Sequence, residues 1–178
     1  EKMAVRAREV AVEAGDEFVI GLIEACGGLS DFLVGRWSRA DQRMKAGMRR
    51  MRDHGVGGRW EIDLTELFYL SNLLYCGQLR ELARLAPPYL REAEDRGDVY
   101  AQNGIRAWRP NVAWLVMGKP EDARAHSLAV AMEHSGDGEA FQLNDYYHLL
   151  ANTRIDLYLG DGDGALARVE RAWRELES

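Results

Sequence analysis

Cysteine and proline are scarce in this chain: 2 and 4 in 178 residues. Two cysteines cannot staple a small secreted framework, so a packed core must hold the protein together. Cys26 and Cys76 both sit inside apolar stretches, which places them as buried thiols in a reducing compartment rather than in a disulfide. No window reaches the ~18 consecutive apolar residues of a membrane span. No charged region followed by an apolar one opens the chain as a secretory leader would. No segment alternates with period two between turn signals, so hairpins are not expected. Positive charge is in deficit, with a net charge of −6, which argues against general nucleic-acid affinity. These absences describe a soluble, cytoplasmic protein that makes no membrane contact. An initiating methionine is missing too, and the sequence beginning at Glu1 is expected to be a piece of a longer protein.

What the chain does have is punctuation. Glycines close apolar runs at Gly35, Gly77, Gly118 and Gly160, with spacings of 42, 41 and 42. Five places after each glycine comes Ala40, Leu82, Ala123 or Ala165, and three places before it Phe32, Leu74, Leu115 or Leu157. Twenty places on, Gly55, Gly97 and Gly138 recur. A fixed period of this length is the mark of repeated supersecondary units. Each unit reads as two helices. The first runs into the closing glycine, and the second starts just after it. In residues 77–97, Leu79, Leu82, Ala83, Ala86, Leu90 and Ala93 fall on one stripe with Arg, Glu and Asp opposite. Asp98 is a candidate N-cap, and Pro120 fits a first helical turn. Pro87-Pro88 should kink or split the second helix of its unit, and Pro110 the first helix of the next.

The fold class expected is therefore all-α: a right-handed α-solenoid of antiparallel helix pairs with a period of about 42 residues. Residues 1–14 form the trailing helix of a preceding unit. Four repeats follow at 16–54, 60–96, 98–135 and 139–177, within a single domain of about nine helices. The segment "GDGDG" at 160–164 is then the turn of the fourth unit, with Asp161 or Asp163 capping the last helix.

Chemical readings fare poorly. A calcium loop starting at Asp161 would place Ala165 and Ala172 where oxygen ligands belong. "HGVGGRW" (54–60) has glycines but no preceding strand for a phosphate loop. His126 and His134 are eight apart on one helical face, a poor zinc pair. No serine lies in a nucleophile elbow. Catalytic residues, metal ligands and cofactors are accordingly expected to be none.

Two surfaces stand out. Between Arg36 and Arg59 eight basic residues face two acids. Arg36, Arg39, Arg43, Lys45, Arg49 and Arg50 make a basic face suited to an acidic protein or to phosphate, unless it is simply a solvated outer face. Polar and aromatic residues on the first helix of the later pairs are the other candidates for partner binding: Asn103, Arg106, Trp108, Asn144, Tyr147, His148 and Asn152.

The helical pair with glycine and then alanine five later resembles tetratricopeptide-type repeats, although the period exceeds the usual ~34. The tracts "GRWEID…LFYL…LYCGQLREL" and "LREAEDRGDVYAQNGIR" are similar to the repeat region that follows kinase and AAA-type ATPase domains in large bacterial serine/threonine protein kinases. "HSLAVAMEHSGDGEAFQLNDYYHLLANTRIDLYLGDGDGALARVE" continues the likeness over most of the chain. The resemblance implies a scaffolding or autoregulatory segment, with a separate protein or the parent's own kinase and ATPase domains as partner. It does not place kinase activity in these residues. A sensor closing on a small molecule through Arg106, Trp108 and His148 is an alternative. Nucleic-acid contact through 36–59 is another. The terminal helices are expected to be open to self-association.

Overall fold

The computed structural model describes residues 2–55, 58–133 and 141–176. Ten α-helices are present among them and no strand: α1 (Lys2–Ala14), α2 (Glu17–Leu33), α3 (Trp37–His54), α4 (Arg59–Tyr75), α5 (Leu79–Arg96), α6 (Val99–Ala107), α7 (Val112–Val116), α8 (Pro120–Glu133), α9 (Leu143–Tyr158) and α10 (Gly162–Leu176). The all-α expectation holds. A 3-10 turn at Arg109–Asn111 separates α6 from α7, where Pro110 breaks the helix expected there. Pro87 and Pro88 do not split α5, which runs unbroken through both. Prolines side by side remove hydrogen bonds from a single turn. The buried stripe Leu82, Ala86, Tyr89, Leu90 and Ala93 holds the helix on either side of it.

The helix ends follow the glycine frame. Gly35, Gly77, Gly118 and Gly160 have φ between 68° and 82°, and Gly15 and Gly97 share this left-handed backbone. After each, the next backbone N–H donates to the carbonyl five residues back, as in Arg36 to Asp31 at 2.8 Å and Asp161 to Asp156 at 2.9 Å. This closure satisfies carbonyls that a helix end otherwise leaves open. Gly55 differs: it is extended, with φ −92°. Gly57, His134, Ser135 and Gly138 lie outside the described residues. Asp98 caps α6 by accepting from the Ala101 N–H at 2.9 Å, and Asp161 caps α10 by accepting from Gly164 at the same distance.

The chain divides into two compact units, residues 1–78 and 79–178, and the division falls inside the pair expected at 60–96. In the N-terminal unit α2 and α3 approach closely. A Cβ placed on Gly47 of α3 would lie 2.7 Å from both the Ala25 nitrogen and the Gly21 oxygen of α2. Met44, Met48 and Met51 fill the core beside this seam. α4 packs on α3 and α2, with Phe68 edge-on to Phe32 at 5.5 Å. In the C-terminal unit α5 packs on α6 and α7, α8 on α6 and α9, and α10 on α9. Asn111 ties the broken helix to α8: its amide donates to the Arg106 carbonyl at 2.6 Å and to the Ala123 carbonyl at 2.9 Å.

The thiols are not where the apolar flanks placed them. Cys26 is exposed and Cys76 half-buried. α2 turns Ala25 and Gly28 into the seam, and Cys26 is left on its outer side. No helix among the described residues is long and apolar enough to cross a membrane.

Candidate interaction surfaces

The basic stretch lies on α3 and at its flanks, and most of its charge is answered within the N-terminal unit. Arg43 pairs with Glu24 at 2.9 Å and with Asp31 at 3.1 Å. Arg36 and Arg39 reach the same Asp31 carboxylate at 3.6 and 3.1 Å. Lys45 pairs with Asp41 at 3.0 Å and lies over the Tyr69 ring. Arg50 pairs with Glu17, and Arg52 with Glu66. Burial pushes the Glu66 carboxyl above its usual range despite Arg52 and Arg59. Among the six expected basic-face residues, Arg49 alone is exposed with no ion pair among the described residues. The acids come from α2 and α4 as well as from α3. Counting charge along residues 36–59 overlooks them, because helix pairing brings them in from outside that window.

Of the candidates in the C-terminal unit, some converge and others are consumed by packing. Trp108, at the break after α6, meets Tyr147 of α9 at 5.5 Å between ring centroids. Arg109 lies over the Trp108 ring at 4.3 Å, and Tyr146 borders Tyr147 at 6.1 Å. Tyr146 and Tyr100 are exposed, while Trp108, Arg109 and Tyr147 are half-buried. Burial raises the Tyr147 hydroxyl above its ordinary range, and neighbouring Tyr100 adds to this. Asn144 is half-buried in the first turn of α9. Asn103 and Asn152 are buried. Arg106 is held by Glu94 at 2.8 Å.

His148 and Asn152 belong to a clamp between α8 and α9. His148 Nδ1 lies 3.0 Å from both the Ser127 hydroxyl and the Ser127 carbonyl. A carbonyl only accepts, so the assignment that satisfies this contact puts the proton on Nδ1. That is the wrong tautomer for a base toward Ser127. The Asn152 amide also donates to the hydroxyl at 3.0 Å, and Ser127 is fully buried. The trio joins α8 to α9, with the Ser127 hydroxyl enclosed between them. Arg124 extends it, donating to the Asn152 oxygen at 3.1 Å and to Asp156 at 2.8 Å. Arg168 of α10 takes the other Asp156 oxygen at 2.9 Å. Burial acts to raise the Asp156 carboxyl, but the two arginines outweigh it and hold it below the usual range. The sequence signal for this network is the spacing of His148, Asn152 and Asp156, polar residues four apart on one face of α9.

The cleft that His148 lines holds about 260 Å³ and is shared with Phe141, Asp145, Leu149, Arg168 and Arg171. Arg106 and Trp108 do not line it, so the three residues expected to form a sensor pocket do not share this cleft. Cys76 is raised above its ordinary range by burial and by Asp41, which makes its thiol a weaker nucleophile. No cluster of three metal-ligating side chains occurs among the described residues, and His134, one of the expected zinc pair, lies outside them. Compared with protein-family models, with characterised proteins and with solved structures, the chain matches none.

Proposed function

We propose that the chain is a non-catalytic, cytoplasmic protein-binding module, a tetratricopeptide-like α-solenoid of helix pairs with a period of about 42 residues. In this reading it serves a bacterial serine/threonine protein kinase as a scaffolding or autoregulatory segment, the setting that the sequence resemblance implies. The observation that carries protein binding is the cluster of half-buried Trp108, Arg109 and Tyr147 beside exposed Tyr146, with exposed Tyr100 near Tyr147. Aromatic and arginine side chains dominate binding energy at protein interfaces. Here the rings already rest on one another, so little ordering entropy opposes binding. The glycine-closed helix ends support a rigid scaffold beneath the patch.

The test is affinity capture from source-cell lysate with wild-type and Trp108→Ala/Tyr147→Ala baits side by side, and separately against purified kinase and ATPase-type domains of the parent protein. A protein captured saturably by wild type, and at least tenfold less by the variant, supports the reading. If the parent domains are that protein, the segment is autoregulatory. Equal capture by both baits, or none by wild type at micromolar concentration, overturns the assignment of this patch.

A further inference from the structure

The N-terminal unit has a cleft of about 490 Å³ at the start of α3 and the end of α4, lined by Arg36, Trp37, Ser38, Arg39, Cys76 and Gln78. Its charge is unbalanced. Arg36, Arg39 and Arg43 all converge on Asp31, and only Arg43 has a second acid, Glu24. Three guanidinium groups thus face two carboxylates. The two that line the cleft are the less satisfied ones: the Arg36 and Arg39 side chains are 65% and 62% exposed, while that of Asp31 is 6% exposed. Each guanidinium carries five N–H donors in a planar fork that matches a carboxylate, and one shared acid leaves most of them available. The next charged pair along α3, Asp41 with Lys45, is neutral as a unit.

The cleft wall is also aromatic and pre-set. Trp37 stacks on Tyr75 at 5.3 Å with the rings 15° apart, and Phe32 supports Tyr75 at 5.7 Å. Trp37 keeps 39% of its surface exposed. Leu33 and Val34, just before the cleft in the chain, are exposed as well. Positive charge at an apolar ledge calls for an occupant with both features reversed or matched: a carboxylate and, next to it, an apolar side chain. A nucleic-acid strand fits less well. It needs a basic track along several phosphates, and the remaining cations of α3 are mostly closed in ion pairs.

We propose that this cleft docks an acidic peptide segment of a partner protein, with a carboxylate bridging Arg36 and Arg39 and a neighbouring apolar side chain lying on Trp37. The inference rests on the reading of the chain as a protein-binding module, but it uses a surface separate from the Trp108–Tyr147 patch.

The experiment selects peptides from a random dodecapeptide display library on the full chain, then measures one selected peptide by fluorescence polarisation. The expected result is enrichment of Asp or Glu beside Phe, Leu or Trp. Affinity should fall at least tenfold in Arg36→Glu/Arg39→Glu and in Trp37→Ala, and it should weaken with added salt. Arg36→Gln/Arg39→Gln removes the charges without setting acids against Asp31. It should show a smaller loss in the same direction while circular dichroism stays that of the wild type. Arg49→Glu and Trp108→Ala/Tyr147→Ala should bind as wild type does. Peptides without acidic enrichment, or peptides that bind the glutamine variant as tightly as wild type, would overturn the proposal. So would displacement of the peptide by a single-stranded oligonucleotide. If the patch-dependent capture survives such a failure, only the cleft assignment falls.

Discussion

Gly47→Ala sets two physical effects of known sign against each other. In a helix interior alanine is favoured over glycine by ~0.5–1 kcal/mol, because glycine loses more backbone freedom on folding. Packing acts the other way. The added Cβ would sit 2.7 Å from both the Ala25 nitrogen and the Gly21 oxygen, and 2.9 Å from the Ala25 Cβ. That nitrogen and oxygen lie four residues apart in α2, the spacing of its own hydrogen bond. The clash is therefore with backbone, which no rotamer change relieves. Ordinary contact begins near 3.4 Å, so α2 and α3 must part by about 0.7 Å at the crossing. Overpacking of this kind costs ~1–3 kcal/mol. Central values of the two effects leave a net destabilisation of about 1–2 kcal/mol. Gly162→Ala is the control: nothing lies within 4 Å of the place its Cβ would take, so propensity alone should act and stability should hold or rise slightly. Native-state hydrogen exchange reads the two helices locally. Amides of α2 and α3 should exchange about 5–30 times faster in Gly47→Ala. Unchanged or slower exchange would refute the close-approach account of the α2–α3 seam.

Two further outcomes are expected. Asn111→Ala removes both amide donors, one from the part-buried Arg106 carbonyl and one from the buried Ala123 carbonyl, and should cost about 2–4 kcal/mol; chemical denaturation followed through tryptophan fluorescence checks it, and a change below measurement error would show that the clamp is dispensable. His126, packed on Trp114 at 4.4 Å, is held below the ordinary histidine range, first by burial and then by Arg106. The unfolded chain then binds the proton more readily, so this group's contribution is complete above about pH 6.5 and is lost as pH falls below it. Thermal melts from pH 7 to 5 should drop less steeply in His126→Gln than in wild type, and parallel slopes would contradict this.

Much of the backbone was legible because helix ends are local problems. A left-handed residue is needed to close the helix, and Gly35 or Gly160 adopts that backbone without a Cβ clash. Asp98 and Asp161 cap from a residue adjacent to their helix, and Pro110 breaks its own helix, so a few neighbouring residues suffice to foresee each of them. Pro87-Pro88 does not split its helix, because neighbouring burial along α5 outweighs a lost turn of hydrogen bonds. Cys26 misled because an apolar neighbourhood in sequence says nothing about which side of a helix a given residue takes.

The candidate surfaces were legible only in part. Trp108 and Tyr147 do meet: the break after α6 sets one half-buried ring 5.5 Å from the other on α9. Asn152 and His148 were expected to be open, yet they bond to Ser127, which is 21 to 25 residues away in sequence. The helical periods and the glycine at each turn were determined by the sequence itself, since backbone geometry depends on the few residues nearest to it. Which cations stay unsatisfied was decided only by tertiary structure. Arg43 and Arg50 meet acids from α2, while Arg36 and Arg39 must share one carboxylate. A charge is answered by whatever folding brings within a few ångströms of it, and that neighbour is set by how helices pair rather than by the order of residues along any one of them.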